Sequence, residues 1–317
     1  MAHPVKVADG VWQLQTLLSN VFLVGNGDGS NWFLIDAGFY GHSEAIRRAA
    51  AELFGEDARP SCIVLTHGHF DHVGSLQSLL AAWDVPVYAH TLEFPHLTGR
   101  VPYPPADPTV GGGLMAWSSR LYPHGPFEVG PRLLALPPNG ILPHADGWHW
   151  IHTPGHTDGH VSLYRTRDRL LVAGDAIVTV KQESALAVAM QRPEVHGPPA
   201  YFTSDWDRSR DSARTLAALE PEILATGHGI ALRGESMRAA LHTLADQFDG
   251  RARPRRGRYV RQPAIVNEKG DMVLPPDPLP GVMATWAAAI IASLLVLTVA
   301  RQRRLTRHSG LPVPARG

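Results

Sequence analysis

The sequence predicts an α+β domain over residues 1–250, and three observations carry that expectation. Short apolar runs such as residues 21–24 (VFLV) and 61–66 (SCIVLT) are rich in β-branched residues and end at polar or glycine-containing turns, the pattern of strands. Stretches with apolar residues at helical spacing lie between them. Four of the strand-like runs lead into histidine or aspartate with glycine at hand, where the backbone can turn sharply at a sheet edge.

Taken in order, residues 11–37 alternate apolar runs (VWQLQTLL, VFLV, WFLIDA) with a turn at 25–30, as hairpin-connected strands do. Ser43 can cap a helix that runs to Phe54, with Ile46, Ala49, Ala50, Leu53 and Phe54 on one face and Gly55 as its stop. The strand at 61–66 leads into residues 67–74, HGHFDHVG. Leu76, Leu79 and Leu80 then mark a second helix, and residues 85–88 another short strand. Residues 94–147 differ in character: they hold many prolines, the run Gly111-Gly112-Gly113, and the aromatics Tyr103, Trp117, Tyr122 and Phe127. Such a segment is either a lid over the His67 loop or an insertion packed on the domain. Periodic structure returns at 148–160 (WHWIHTPGHTDGH). Strand-like runs at 161–164 and 170–173 follow, the second ending in Gly174-Asp175. A helix near Asp211, a strand at 222–226 ending in Gly-His-Gly and a helix from Glu235 to Phe248 complete the domain. Residues 251–261 carry six arginines and read as a solvated basic linker, which a Pro-rich spacer continues to residue 281.

Composition narrows the function. Lysine plus arginine equals aspartate plus glutamate, 29 each, so no bulk charge points to nucleic acid. The single cysteine, Cys62, permits no internal disulfide and lies inside an apolar run, as a small core residue does.

The chemistry gathers in the histidines and aspartates. Imidazole nitrogen and carboxylate oxygen are the donors that zinc and similar divalent ions accept. His67 and His69, two apart on a loop, can turn onto one ion, while Asp71 and His72 face a second. His156, Asp175 and His228 each follow an apolar run with glycine close by, so seven nitrogen and oxygen donors are available, enough for two ions. His160 and Asp158 are left as residues that orient His156, and His152 as a strand-face residue. Lys181 and Tyr201, placed after Asp175, are candidate substrate contacts; the alternative is a salt-bridged lysine and a core tyrosine.

The H-x-H-x-D-H loop, T-P-G-H-T-x-G-H, G-D and G-H elements, in this order over residues 10–250, resemble the metallo-β-lactamase superfamily in its two-metal hydrolase form. The resemblance implies a four-layer αβ/βα sandwich with the metals at one edge of two sheets. It implies His67, His69 and His156 on the first ion, Asp71, His72 and His228 on the second, and Asp175 bridging both. Two divalent ions, zinc ahead of manganese or iron, would bring the pKa of bound water to about 7. The resulting hydroxide would attack an ester, thioester or lactone carbonyl of a small acyl substrate, with Asp71 orienting the nucleophile and passing on its proton. Residues 174–201 and the motif at His228 are similar to a bacterial branch of generic metal-dependent hydrolases, and T-P-G-H-T-x-G-H is similar to glyoxalase II. The alternative enzyme class is a persulfide dioxygenase, which keeps the H-x-H-x-D-H loop and uses one iron. The non-catalytic alternative is a membrane-tethered metal-binding protein, which the complete donor set disfavours.

Residues 282–300 are uncharged and contain eight valines, isoleucines and leucines. As a helix they would reach about 28 Å, close to the ~30 Å of a hydrocarbon core, so a transmembrane helix is expected there. The basic tail at 301–317 and the absence of an apolar leader at the amino terminus favour a cytoplasm-facing domain on a carboxyl-terminal anchor.

Overall fold

A computed structural model describes residues 3–25, 31–266 and 271–279. Among these, seven strands form one sheet in chain order: β1 (Val5–Ala8), β2 (Val11–Thr16), β3 (Ser19–Gly25), β4 (Trp32–Ile35), β5 (Ile63–Val64), β6 (Val87–Ala89) and β7 (Leu133–Ala135). The pairs up to β4 are antiparallel and need only short turns. Those from β4 to β7 are parallel and need crossovers. The helices α1 (Ser43–Phe54), α2 (Phe70–Val73) and α3 (Leu76–Trp83) supply two of these crossovers. The third is the Pro-rich segment with α4 (Phe94–Leu97) and α5 (Leu114–Ser118), and β7 is built from its far end. A five-stranded sheet holds β8 (Trp148–His152), β9 (Val161–Arg165), β10 (Leu170–Val172), β11 (Ile223–Ala225) and β12 (Leu232–Arg233), in the order β12-β11-β10-β9-β8. Its helices are α6 (Ala185–Met190), α7 (Trp206–Ala218), α8 (Glu235–Asp246) and α9 (Phe248–Arg251). Strands β13 (Ile265–Val266) and β14 (Met272–Val273) pair antiparallel.

The two-residue period of the strands assigns the layers. On β4, Trp32 and Leu34 pack with Ile46 and Ala49 of α1 and Leu79 and Trp83 of α3. The alternate residues Phe33 and Ile35 pack with Leu163, Leu170 and Val172 of the other sheet. On β10, Leu171 turns the opposite way, towards Leu216 of α7 and Leu241 of α8. The result is helix, sheet, sheet, helix: the expected four-layer sandwich.

Some boundaries differ from the sequence expectation. Helix α7 starts at Trp206 rather than near Asp211, because the Asp205 side chain accepts the N–H groups of Asp207 and Arg208 and caps it there. Ser43 is the first residue inside α1, whose cap position is His42 without a side-chain hydrogen bond. The arginine-rich stretch expected as a solvated linker buries Ala252 and Tyr259 against α7 and α8, and Tyr259 Oη donates to Pro105 O at 2.7 Å. One compact unit accordingly runs from Met1 to Pro275.

No helix of the described residues is long and apolar enough to cross a membrane. That finding corrects the second half of the expected fold class, the transmembrane helix after the sandwich, and with it the expected single-pass anchor and membrane localisation. Residues 282–300, on which those expectations rested, lie outside the described residues. Uncharged length is one requirement for a span; the backbone must also close its own hydrogen bonds in a continuous helix.

Cys62 is fully buried between the sheets, and burial pushes its thiol up to about 12. Free thiols ionise near 8.5, so above that pH the unfolded chain loses a proton that the folded chain keeps, and this contribution to stability declines as pH rises. We expect the native protein at pH 8 to resist a disulfide reagent that labels one thiol per chain in denaturant. Stoichiometric labelling of the native protein would contradict the buried placement.

Candidate metal centre

The site begins with Asp36 at the end of β4, in a left-handed conformation (φ 59°). Its carboxylate accepts the backbone N–H and hydroxyl of Thr66 at 2.7 and 2.8 Å, which pins the loop that follows β5. It also accepts Nδ1–H of His72 at 2.8 Å, which leaves Nε2 of that ring directed away. The carbonyl of His69 accepts the N–H groups of His72 and Val73, so α2 starts at once and turns Asp71 and His72 onto the site. His156 follows β8, Asp175 follows β10, and His228 follows β11. His228 donates Nδ1–H to Leu18 O at 2.8 Å, again freeing Nε2. This is how a protein fixes the tautomer of a metal-ligating histidine.

All seven sequence-derived residues converge and are buried. Three groups have donor atoms within 4.8 Å of one another: His67, His69 and His156; His67, His72 and Asp175; and Asp71, His72 and His228. Asp175 stands between the outer two, 3.5 Å from Nε2 of both His156 and His72 and 3.0 Å from Nε2 of His228. Nε2 of His67, Nε2 of His72 and Oδ1 of Asp175 are buried without a hydrogen-bond partner. Nitrogens of His69 and His156 face each other at 2.9 Å. Buried polar atoms left unpaired are costly, and this set has the chemistry of a divalent-metal site, so the residues fit the ions. Gly227 completes the cradle: a Cβ there would fall on Asp175 Oδ1 and lie 2.8 Å from His72 Cε1.

Electrostatics divide the histidines. Burial holds His67 and His69 well below the usual imidazole range, with neighbouring histidines adding to the effect. Burial also brings His156 down to about 4. These rings are neutral at pH 7, the form that coordinates metal. Burial opposes charge on His72 and His228 as well, but Asp175 and Asp71 outweigh it and raise both. Asp175 in turn is pushed up by burial and pulled further down by His228 and His72, so it is ionised.

Two supporting residues lie outside the sequence-derived set. Asp36 carries a signal, since β4 also ends in a carboxylate followed by Ala-Gly. Glu93 carries none. It is 1% exposed and ties the two halves of the site: Oε2 accepts Gly68 N–H at 3.1 Å and the Tyr103 hydroxyl, and Oε1 accepts the Thr157 hydroxyl at 2.6 Å and Gly159 N–H at 2.9 Å. His160 supports Asp175 rather than His156: its Nε2 accepts Asp175 N–H at 2.9 Å, and burial holds it at about 3. Asp158 pairs with Arg208, and the exposed His152 stacks on His90. Tyr201 lines the cavity over Asp71, Asp175 and His228, together with Leu18, Phe70, Tyr122, Phe202 and Gln182. Lys181 is not among its lining residues. Tyr122 comes from the 94–147 segment.

Comparison with known proteins agrees with this architecture. The model of the metallo-beta-lactamase superfamily matches residues 14–228. The probable metallo-hydrolase YflN of Bacillus subtilis strain 168 is 45% identical over 244 residues, 77% of this chain and 92% of that protein. The hydroxyacylglutathione hydrolase of Alkalilimnicola ehrlichii is 33% identical over 127 residues, 40% of this chain and 37% of that enzyme. In fold, the chain is similar to the metallo-beta-lactamase family protein TTHA1429 of Thermus thermophilus, with a TM-score of 0.53 at 20% identity, over 77% of this chain and 81% of that one. With the family match spanning most of the sandwich and the donor set assembled at its edge, the chain belongs to the metallo-β-lactamase superfamily and is a metallo-hydrolase of it.

Proposed function

We propose that the chain is a two-metal hydrolase of small acyl substrates, cleaving an ester, thioester or lactone. The observation that carries this reading is the meeting of three unpaired buried atoms, on His67, His72 and Asp175, between the two outer donor groups. His67, His69 and His156 would hold one ion, Asp71, His72 and His228 the other, and Asp175 both. The donor set favours zinc, with manganese or iron as alternatives. Bound there, two divalent ions supply Lewis acidity and an activated water near neutral pH.

The chain's own residues do the rest. His72 and His228, which favour the protonated state beside Asp175, would have to give up those protons to hold a metal ion. Asp71 lines the cavity, where it can orient water and carry its proton. In the hydrolysis a bond forms between water oxygen and the acyl carbon and the bond to the leaving group breaks. One water proton passes to the leaving group through Asp71, and the acid product releases the other. Phe70, Tyr201 and Phe202 wall the cavity and exclude bulk water.

The test is metal content of the purified chain together with hydrolysis of an ester, thioester and lactone panel. About two ions per chain with acyl hydrolysis is expected, and Asp175→Ala should lower that activity more than about 100-fold. One iron per chain with oxygen consumption on glutathione persulfide would instead establish dioxygenase chemistry.

A further inference from the structure

Gln182 is the buried polar side chain at the cavity that neither the donor set nor the mechanism uses. It is 1% exposed, lines the cavity beside Asp71, Asp175 and His228, and its Oε1 is buried without a hydrogen-bond partner. Leaving such an oxygen unpaired is a cost in the free protein, and a ligand donor that reached it would remove that cost. Of the other residues at the cavity wall, Leu18, Phe70 and Phe202 offer no hydrogen bond, and the Tyr122 hydroxyl is engaged with Met115 O at 3.1 Å and the Ser118 hydroxyl at 2.9 Å, so the Tyr201 hydroxyl is the other polar group beside Gln182 and the metal donors. No lysine or arginine among the described residues lines the cavity. A charge on the part of the substrate remote from the metal donors would therefore be stripped of water against aromatic rings with no cationic side chain to receive it. A carboxamide, which both donates and accepts, suits an uncharged group such as an amide or hydroxyl.

Resting on the acyl-hydrolase reading above, we propose that the site takes uncharged acyl substrates and that Gln182 binds their hydrogen-bonding group remote from the scissile bond.

The test uses the metal-loaded full chain and three 4-nitrophenyl esters of matched length: the heptanoate, the adipamate with a terminal amide, and the hydrogen adipate with a terminal carboxylate. Wild-type kcat/KM is expected to be at least about 10-fold higher for the amide than for the carboxylate. In Gln182→Leu the ratio of amide to heptanoate should fall about 3- to 10-fold, the worth of one neutral hydrogen bond. Because the substitution also removes an unpaired buried oxygen, Tm of the ligand-free variant should rise; a glutamine kept only for packing would lower it on replacement. Gln182→Asn, which keeps the carboxamide but retracts it, should lower the same ratio and serves if the leucine variant fails to fold. A carboxylate ester cleaved as fast as the amide, or a ratio unchanged in the folded variants, overturns the proposal while leaving acyl hydrolysis intact. Cleavage of none of the three esters or of the lactone and thioester panel by the loaded wild type removes the acyl reading, and this inference with it.

Discussion

Gly227→Ala is expected to lower hydrolytic activity at least about 100-fold while leaving the sandwich folded. A single methyl group at this position falls on Asp175 Oδ1 and crowds His72 Cε1. Neither atom can retreat at low cost. Asp175 is held by its backbone N–H on His160 and by His228 at 3.0 Å, and His72 by Asp36 at 2.8 Å. The carboxylate placed between the two donor groups must therefore shift, and misplacing a catalytic group by about 1 Å is enough for a loss of that size. Metal content should fall below two ions per chain, with far-UV circular dichroism unchanged. A Gly227→Ala protein with full metal and full activity would show that Asp175 does not occupy the bridging position.

Glu93→Ala is the second large effect, and it acts first on stability. The carboxylate accepts four hydrogen bonds in a buried position, from Gly68 and Tyr103 on one oxygen and from Thr157 and Gly159 on the other. Truncation leaves two backbone N–H groups and two hydroxyls to find partners that the packed interior does not offer. A cost of about 3–5 kcal/mol is expected, since each unpaired buried donor loses on the order of 1–3 kcal/mol and the losses are not additive. For a unit of this size that lowers Tm by roughly 10 °C. Because Glu93 joins the His67 loop to the His156 loop, metal affinity should fall along with Tm, and excess zinc should recover part of the lost stability by mass action. Thermal melts with and without zinc read both effects. An unchanged Tm would mean that the two loops hold their places without the carboxylate.

The sandwich and its donors differ in how they can be read. Each of the seven donors ends or follows an apolar run with glycine close by, and that local pattern survives in one dimension because strand, turn and ligand are contiguous in the chain. The start of helix α7 differs from its expected place for an equally local reason: the Asp205 side chain caps the first turn, and the buried Trp206 follows it directly. The expected transmembrane helix rests on uncharged length and on eight valines, isoleucines and leucines, properties of composition rather than of backbone, and no described helix meets the requirement for a span. The arginine-rich stretch after Gly250 reads as linker by its charge, although Ala252 and Tyr259 decide where it packs.

By itself the sequence determined the types of the candidate donors, their order and their place after strand-like runs, since these follow from the two-residue period of strands and from turns beside glycine. Only the tertiary structure gave the distances, with the donor atoms of three groups within 4.8 Å of one another and Asp175 between the outer two. It also selected Asp36, Glu93 and Gln182 from many similar side chains. Asp36 meets His72 across 36 positions and Glu93 meets Gly159 across 66, and no local pattern encodes such pairings. They arise when packing of the two sheets and their helices brings distant backbone together, and buried polar groups must then find partners or remain open for a ligand.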